Sequence, residues 1–204
     1  LPAGPEEAPE DRDRPSSRSD EPELYRRVRR WFDWTGRETE GELDAKLTKA
    51  AKALRECVTA ALKDAAPDGC KVILGGFSQG AAVALHALAA ASSAAPLAEP
   101  VASALPALLP VVGLVQLAAQ APMGGLRGGS LAGVRLLVAA GTSDEVAPVA
   151  TGEALLAACT DPSVGAHAEP LLRYEGGHEV TMPVADAVAS FVGAVAAPGA
   201  VAVD

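Results

Sequence analysis

Three short apolar runs constrain this chain more than any other feature: residues 71–74 (KVIL), 111–118 (VVGLVQLA) and 134–140 (VRLLVAA). None alternates polar with apolar side chains, as a strand with one wet face would. Continuous runs of this length read as strands buried on both faces. Helical patterns stand between and around them. From Glu40 to Ala65, the residues Leu43, Leu47, Ala50, Ala51, Leu54, Val58, Ala61 and Leu62 fall on one stripe at spacings of three and four. Further helices are predicted over residues 81–91, 149–159 and 183–196, the last with Pro183 near its first turn. Residues 169–174 (EPLLRY) read as another strand. Strands alternating with helices imply an α/β fold: a mostly parallel sheet with helices on both faces. No internal repeat is present.

Composition limits the function classes. A chain of 204 residues that is 49% hydrophobic has enough apolar surface for a buried core. Its net charge of −9 argues against nucleic-acid binding, which needs a basic face to displace counterions. Cys57, Cys70 and Cys159 are too few and too scattered for a disulfide framework or a zinc site, which points to a reducing, cytoplasmic setting. Residues 1–23 are rich in Pro, Glu, Asp, Arg and Ser and read as a disordered or extended segment. They lack the basic start and apolar stretch of a signal peptide. Residues 24–198 read as the folded domain, with the helical pattern giving out before a short tail at 199–204. The block 25–34 (YRRVRRWFDW) reads as an anchoring segment docked on the core. Residues 100–126 carry no charge, but Pro106 and Pro110 would interrupt a spanning helix, so no membrane insertion is expected. Residues 95–110 read as a low-complexity connection.

The chemistry gathers at the ends of the runs. Gly76-Phe77-Ser78-Gln79-Gly80 fits G-x-S-x-G between a strand and a helix, the context in which a sharp turn projects a serine hydroxyl. A serine needs a base to become a nucleophile. Of three histidines, His86 falls two turns into the following helix and points away from its start. His167 lies in a connection before a strand and reads as solvated. His178 follows the strand ending at Tyr174, at the same sheet edge as Ser78. An imidazole base needs a carboxylate to hold its tautomer. Asp144 follows the 134–140 run in a short loop, with Glu145 as local competitor and Asp161 and Glu175 as weaker candidates. The chain order Ser78, Asp144, His178 is that of an α/β-hydrolase.

These residues resemble the acyl-protein thioesterase / phospholipase–carboxylesterase family of α/β-hydrolases. The resemblance runs from about Trp31 to Phe191 through Trp31-Phe32-Asp33, the string from Val72 to Ala82, the loop from Gly141 to Pro148, and Tyr174 to Glu179. It implies hydrolysis of acyl esters or thioesters, carried on lipid or protein, with no cofactor and no metal. It implies Ser78 as nucleophile, Asp144 as orienter, His178 as base, and the Gln79 backbone N–H as one of two oxyanion-hole donors. The family carries an H-G-x-G-D loop before its W-F-D segment, which supplies the second donor. This chain has no such motif, and early strands of the sheet are expected to be missing with it. Ala140 stands where the family's H-G-x-x-D loop has its first histidine. The alternative implied by these departures is a truncated, catalytically impaired form.

Overall fold

The computed structural model describes residues 31–34, 37–65, 70–92, 111–119 and 130–197. The readings made for residues 1–23, 25–30, 95–110 and 199–204 lie outside them.

Helix α1 (Glu40–Ala65) opens the described domain. Its start is set by Thr39 and Glu42, which cap each other. The Thr39 N–H donates to Glu42 Oε2 at 2.8 Å, and the Glu42 N–H donates to Thr39 Oγ1 at 3.3 Å. Leu43, Leu47, Ala50 and Ala51 are buried as the stripe requires. The stripe leaves the core past Leu54, where Val58 and Leu62 are half-buried and Ala61 is exposed.

Strand β1 (Val72–Phe77) leads into α2 (Gln79–Ser92), followed by β2 (Val111–Leu117), β3 (Arg135–Gly141) and α3 (Val149–Thr160). The short strands β4 (His167–Ala168) and β5 (Leu172–Tyr174) and helix α4 (Met182–Ala196) complete the order. All pairings are parallel. β2 lies between β1 and β3, and both β4 and β5 pair with the far edge of β3. This is the α/β sheet that the apolar runs predict.

Side-chain alternation divides the core into two layers. Leu114, Leu136 and Val138 face Leu85, Leu88 and Leu155 of α2 and α3. Val115 and Leu137 face Phe191 and Val195 of α4. Helix α1 stacks on α2 through Leu43, Leu47, Ala82 and Val83, and Trp31, Phe32 and Trp34 pack on that seam. The anchoring role expected of residues 25–34 is realised in this described part. Each large aliphatic side chain so buried contributes about 1.5–3 kcal/mol.

Two strand boundaries differ from expectation. β1 runs on through Gly75 and Gly76, which the apolar pattern places in a loop. Their ladder partners are Val115 and Gln116. Backbone pairing needs no side chain, and none would fit at Gly76, where a Cβ would come within 2.3 Å of the Gly80 carbonyl carbon. The run 169–174 is strand only over Leu172–Tyr174, and β4 lies just ahead of it. The Glu169 N–H still donates to Leu136 O, but Pro170 has no N–H for the ladder, so β4 and β5 form on either side of it. His167 therefore begins a strand, although its side chain is exposed as expected.

Candidate active site

Ser78 occupies the one-residue joint between β1 and α2, with φ +53°. That backbone region costs a non-glycine residue about 1–2 kcal/mol and persists only where the surroundings enforce it. The enforcing bonds are local. The Ser78 N–H donates to Leu117 O at 2.9 Å, and its carbonyl accepts from Ala81 and Ala82 as α2 begins. Gly76, two residues earlier, lets the helix start lie directly against the strand.

Asp144 and His178 reach the same sheet edge on loops after β3 and β5. The two loops are zipped beyond the strands. The Thr142 N–H donates to Tyr174 O and the Ser143 N–H to Gly176 O, both at 2.9 Å. Gly141 permits this approach, since a Cβ there would lie 2.6 Å from the carbonyl oxygens of both Gly176 and Gly177. The buried Tyr174 braces the second loop by donating its hydroxyl to Glu179 O at 2.7 Å. Ala140, where the family has histidine, is buried with its Cβ close to Gly152 of α3. A large side chain there would meet that helix.

The three side chains meet. His178 Nε2 lies 2.8 Å from Ser78 Oγ, and His178 Nδ1 lies 2.8 Å from Asp144 Oδ2. The imidazole also stacks at a tilt on Phe77, with ring centroids 4.7 Å apart. The Asp144 side chain is fully buried. Burial alone would push its carboxyl pKa up. The Ala147 N–H, His178 and the Val146 N–H hydrogen-bond to it and together hold it below the ordinary carboxylate range. Asp144 thus stays charged, and its Oδ1 is held by two backbone amides while Oδ2 meets the imidazole.

The competing residues are elsewhere. Glu145 and Glu175 are exposed, and Asp161 closes its own turn by accepting from Ser163. His86 packs between helices with Nε2 3.2 Å from Thr48 Oγ1, and burial lowers its pKa. Gln79 stands first in α2, where amide N–H groups have no acceptor within the helix. Its side chain makes contacts that no motif announces, bonding to the backbone of Trp31 and Phe32. The hydroxyl of Tyr174 is likewise used in a way the sequence does not reveal.

Residues 15–105 match the model of a family described as Phospholipase/Carboxylesterase. The match covers a little under half of the chain, which is similar to that family over those residues. The similarity to this family inferred from the sequence alone holds, as does the fold it implies. Solved α/β-hydrolases agree in architecture. Esterase PE8 superposes with a TM-score of 0.63 at 20% identity, over 82% of this chain and 71% of the esterase. Acyl-protein thioesterase 2 of Zea mays gives 0.57 at 19%, over 81% and 71%. A carboxylesterase from Mesorhizobium loti gives 0.57 at 21%, over 82% and 69%. No curated protein matches the sequence. Among the described residues, no helix is long and apolar enough to cross a membrane.

Proposed function

We propose that this α/β-hydrolase cleaves carboxylic esters or thioesters of acyl substrates through a serine-bound acyl intermediate. Ser78 is the nucleophile, His178 the general base and Asp144 the group that orients it. The observation carrying this reading is the unbroken relay of two 2.8 Å hydrogen bonds from Ser78 through His178 to Asp144. The strained backbone of Ser78 supports it, because a bystander serine has no use for a costly conformation. The same two observations weigh against a non-catalytic remnant.

In the reaction, Ser78 Oγ attacks the acyl carbonyl carbon while His178 Nε2 takes the hydroxyl proton. The oxyanion faces the Gln79 N–H at the positive end of α2. The C–O or C–S bond then breaks, and the departing alcohol or thiol leaves with the proton held by His178. Water repeats the cycle, giving its proton to His178 and its oxygen to the acyl group. Free acid and serine are regenerated, with no metal or organic cofactor in the scheme. The names of the similar enzymes support an ester or thioester as the bond cleaved, and the family description and the thioesterase's name support an acyl group carried on lipid or protein. The three free cysteines support a reducing, cytoplasmic setting.

A fluorophosphonate probe tests this directly. The wild-type protein is expected to label once, at Ser78, and Ser78→Ala to lose both labelling and ester hydrolysis. A folded wild-type protein that takes no label overturns the reading.

A further inference from the structure

The side chain of Gln79 forms a two-point clamp. Its Oε1 accepts from the Trp31 N–H at 2.8 Å, and its Nε2 donates to Phe32 O at 2.8 Å. A carboxamide can satisfy a donor and an acceptor of the main chain together, as a neighbouring strand would. The clamped segment lies on the elbow itself. The Trp31 indole Nε1 stands 3.4 Å from where a Cβ on Gly80 would be, so the ring lies against the start of α2. Behind the clamp, Trp31, Phe32 and Trp34 pack on α1 and α2, and Lys46 Nζ donates to Asp33 O at 2.7 Å. One residue thus has its backbone at the turn beside Ser78 and its side chain bonded to a packed segment.

We propose that the Gln79 side chain is a positioning group for the reaction. By gripping Trp31 and Phe32, it fixes the orientation of its own peptide, whose N–H faces the developing oxyanion. This rests on the serine-hydrolase reading above and extends it. The motif position would then require glutamine for its side chain, although any residue but proline could supply the N–H. The clamp sits outside the Ser78–His178–Asp144 relay, so losing it should slow the chemical step without weakening substrate binding. A misaimed donor costs less than a deleted one, about 10-fold against 10²–10³.

The chain's only tryptophans are Trp31 and Trp34, so intrinsic fluorescence reads the clamped segment without a label. The test uses full-length Gln79→Met, which keeps the shape and the N–H but neither hydrogen bond, and Gln79→Glu, which keeps only the acceptor. Rates are normalised to titrated active sites, so loss of folded protein does not count as slowing. Gln79→Met is expected to show red-shifted emission, kcat lowered about 10-fold, KM within 2-fold, and slower fluorophosphonate labelling. Gln79→Glu is expected to have a lowered kcat as well. Red-shifted emission with wild-type kcat would overturn the positioning role. So would slowing with unchanged emission, or a rise in KM alone. Wild-type protein that neither labels nor hydrolyses esters would overturn the hydrolase reading, and this proposal with it. Because Ser78→Ala reads the nucleophile and the tryptophans read the clamp, the two failures are distinguishable.

Discussion

The two halves of the site are held by different means. The Asp144–His178 half hangs from β3 and β5, strands paired with each other and continued by loop-to-loop hydrogen bonds. Six of the seven residues of β3 and four of the seven of its neighbour β2 are buried, and the Asp144 side chain beyond the end of β3 is fully buried. The Ser78 half stands on β1, whose six residues are all half-buried and which pairs only with β2 among the described residues. What that half lacks in burial it makes up through local devices: the Leu117 bond, the glycine contact with α2, and the Gln79 clamp. Buried ladders lock a carboxylate–imidazole pair in place, whereas the half-exposed strand needs side-chain tethers to hold a strained turn. Damage to either half should therefore reach the chemistry, and backbone clashes in either half should cost stability as well.

The sharpest way to separate them is Asp144→Asn. It preserves shape but removes the charge that faces the imidazole, and kcat is expected to fall about 10³–10⁴-fold if the proposed role holds. Circular dichroism should remain that of the folded protein. A drop below 10-fold would mean that Asp144 does not orient the base.

Glycine substitutions break each half mechanically. In Gly76→Ala the new Cβ meets the α2 backbone, and in Gly141→Ala it meets the carbonyls of the His178 loop. Each is expected to lose about 2–3 kcal/mol in urea unfolding, because backbone atoms cannot swing aside. Gly76→Ala should also retard labelling of Ser78. Equal stability to wild type would show that the close approaches are not required.

A finer probe is Tyr174→Phe, which deletes the hydroxyl bonded to Glu179 O. The expected cost is about 1 kcal/mol in stability, with a kcat loss of only a few-fold, since the zipped backbone remains. A kcat loss as large as that of Asp144→Asn would make the tyrosine more than a brace.

The smallest effect concerns acid. The Asp144 carboxyl lies below its ordinary value of 3.8 in the folded protein, so the folded state binds fewer protons there than the unfolded chain. Its stabilising contribution is present above the unfolded value and is lost as pH falls through the folded one. The melting-temperature gap between wild type and Asp144→Asn should therefore narrow as pH is taken below that value. A gap that widens would contradict the hydrogen bonding described at Asp144.

Much of this was legible in the amino-acid order. Apolar runs without alternation marked β2 and β3 because strands buried on both faces tolerate little else. Ser78, Asp144 and His178 could be placed at one edge because all three follow strands of a parallel sheet, whose ends must lie together. The length of β1 was not legible, because Gly75 and Gly76 look like loop residues until the contacts that exclude a side chain are known. Nor was the late start of β5 within 169–174, where one missing N–H at Pro170 interrupts the ladder.

By itself, then, the sequence determined the α/β class, the sharp turn at Ser78 and the sheet edge that Ser78, the 141–148 loop and His178 share, since each follows from local periodicity and chain order. Only the tertiary structure decided that Asp144 rather than Glu145 meets His178, that Tyr174 braces the loop, and that the Gln79 side chain grips Trp31 and Phe32 from 47 or 48 residues away. Those choices depend on which groups are within hydrogen-bonding distance, and elements far apart in sequence reach that distance only when the sheet and helices pack.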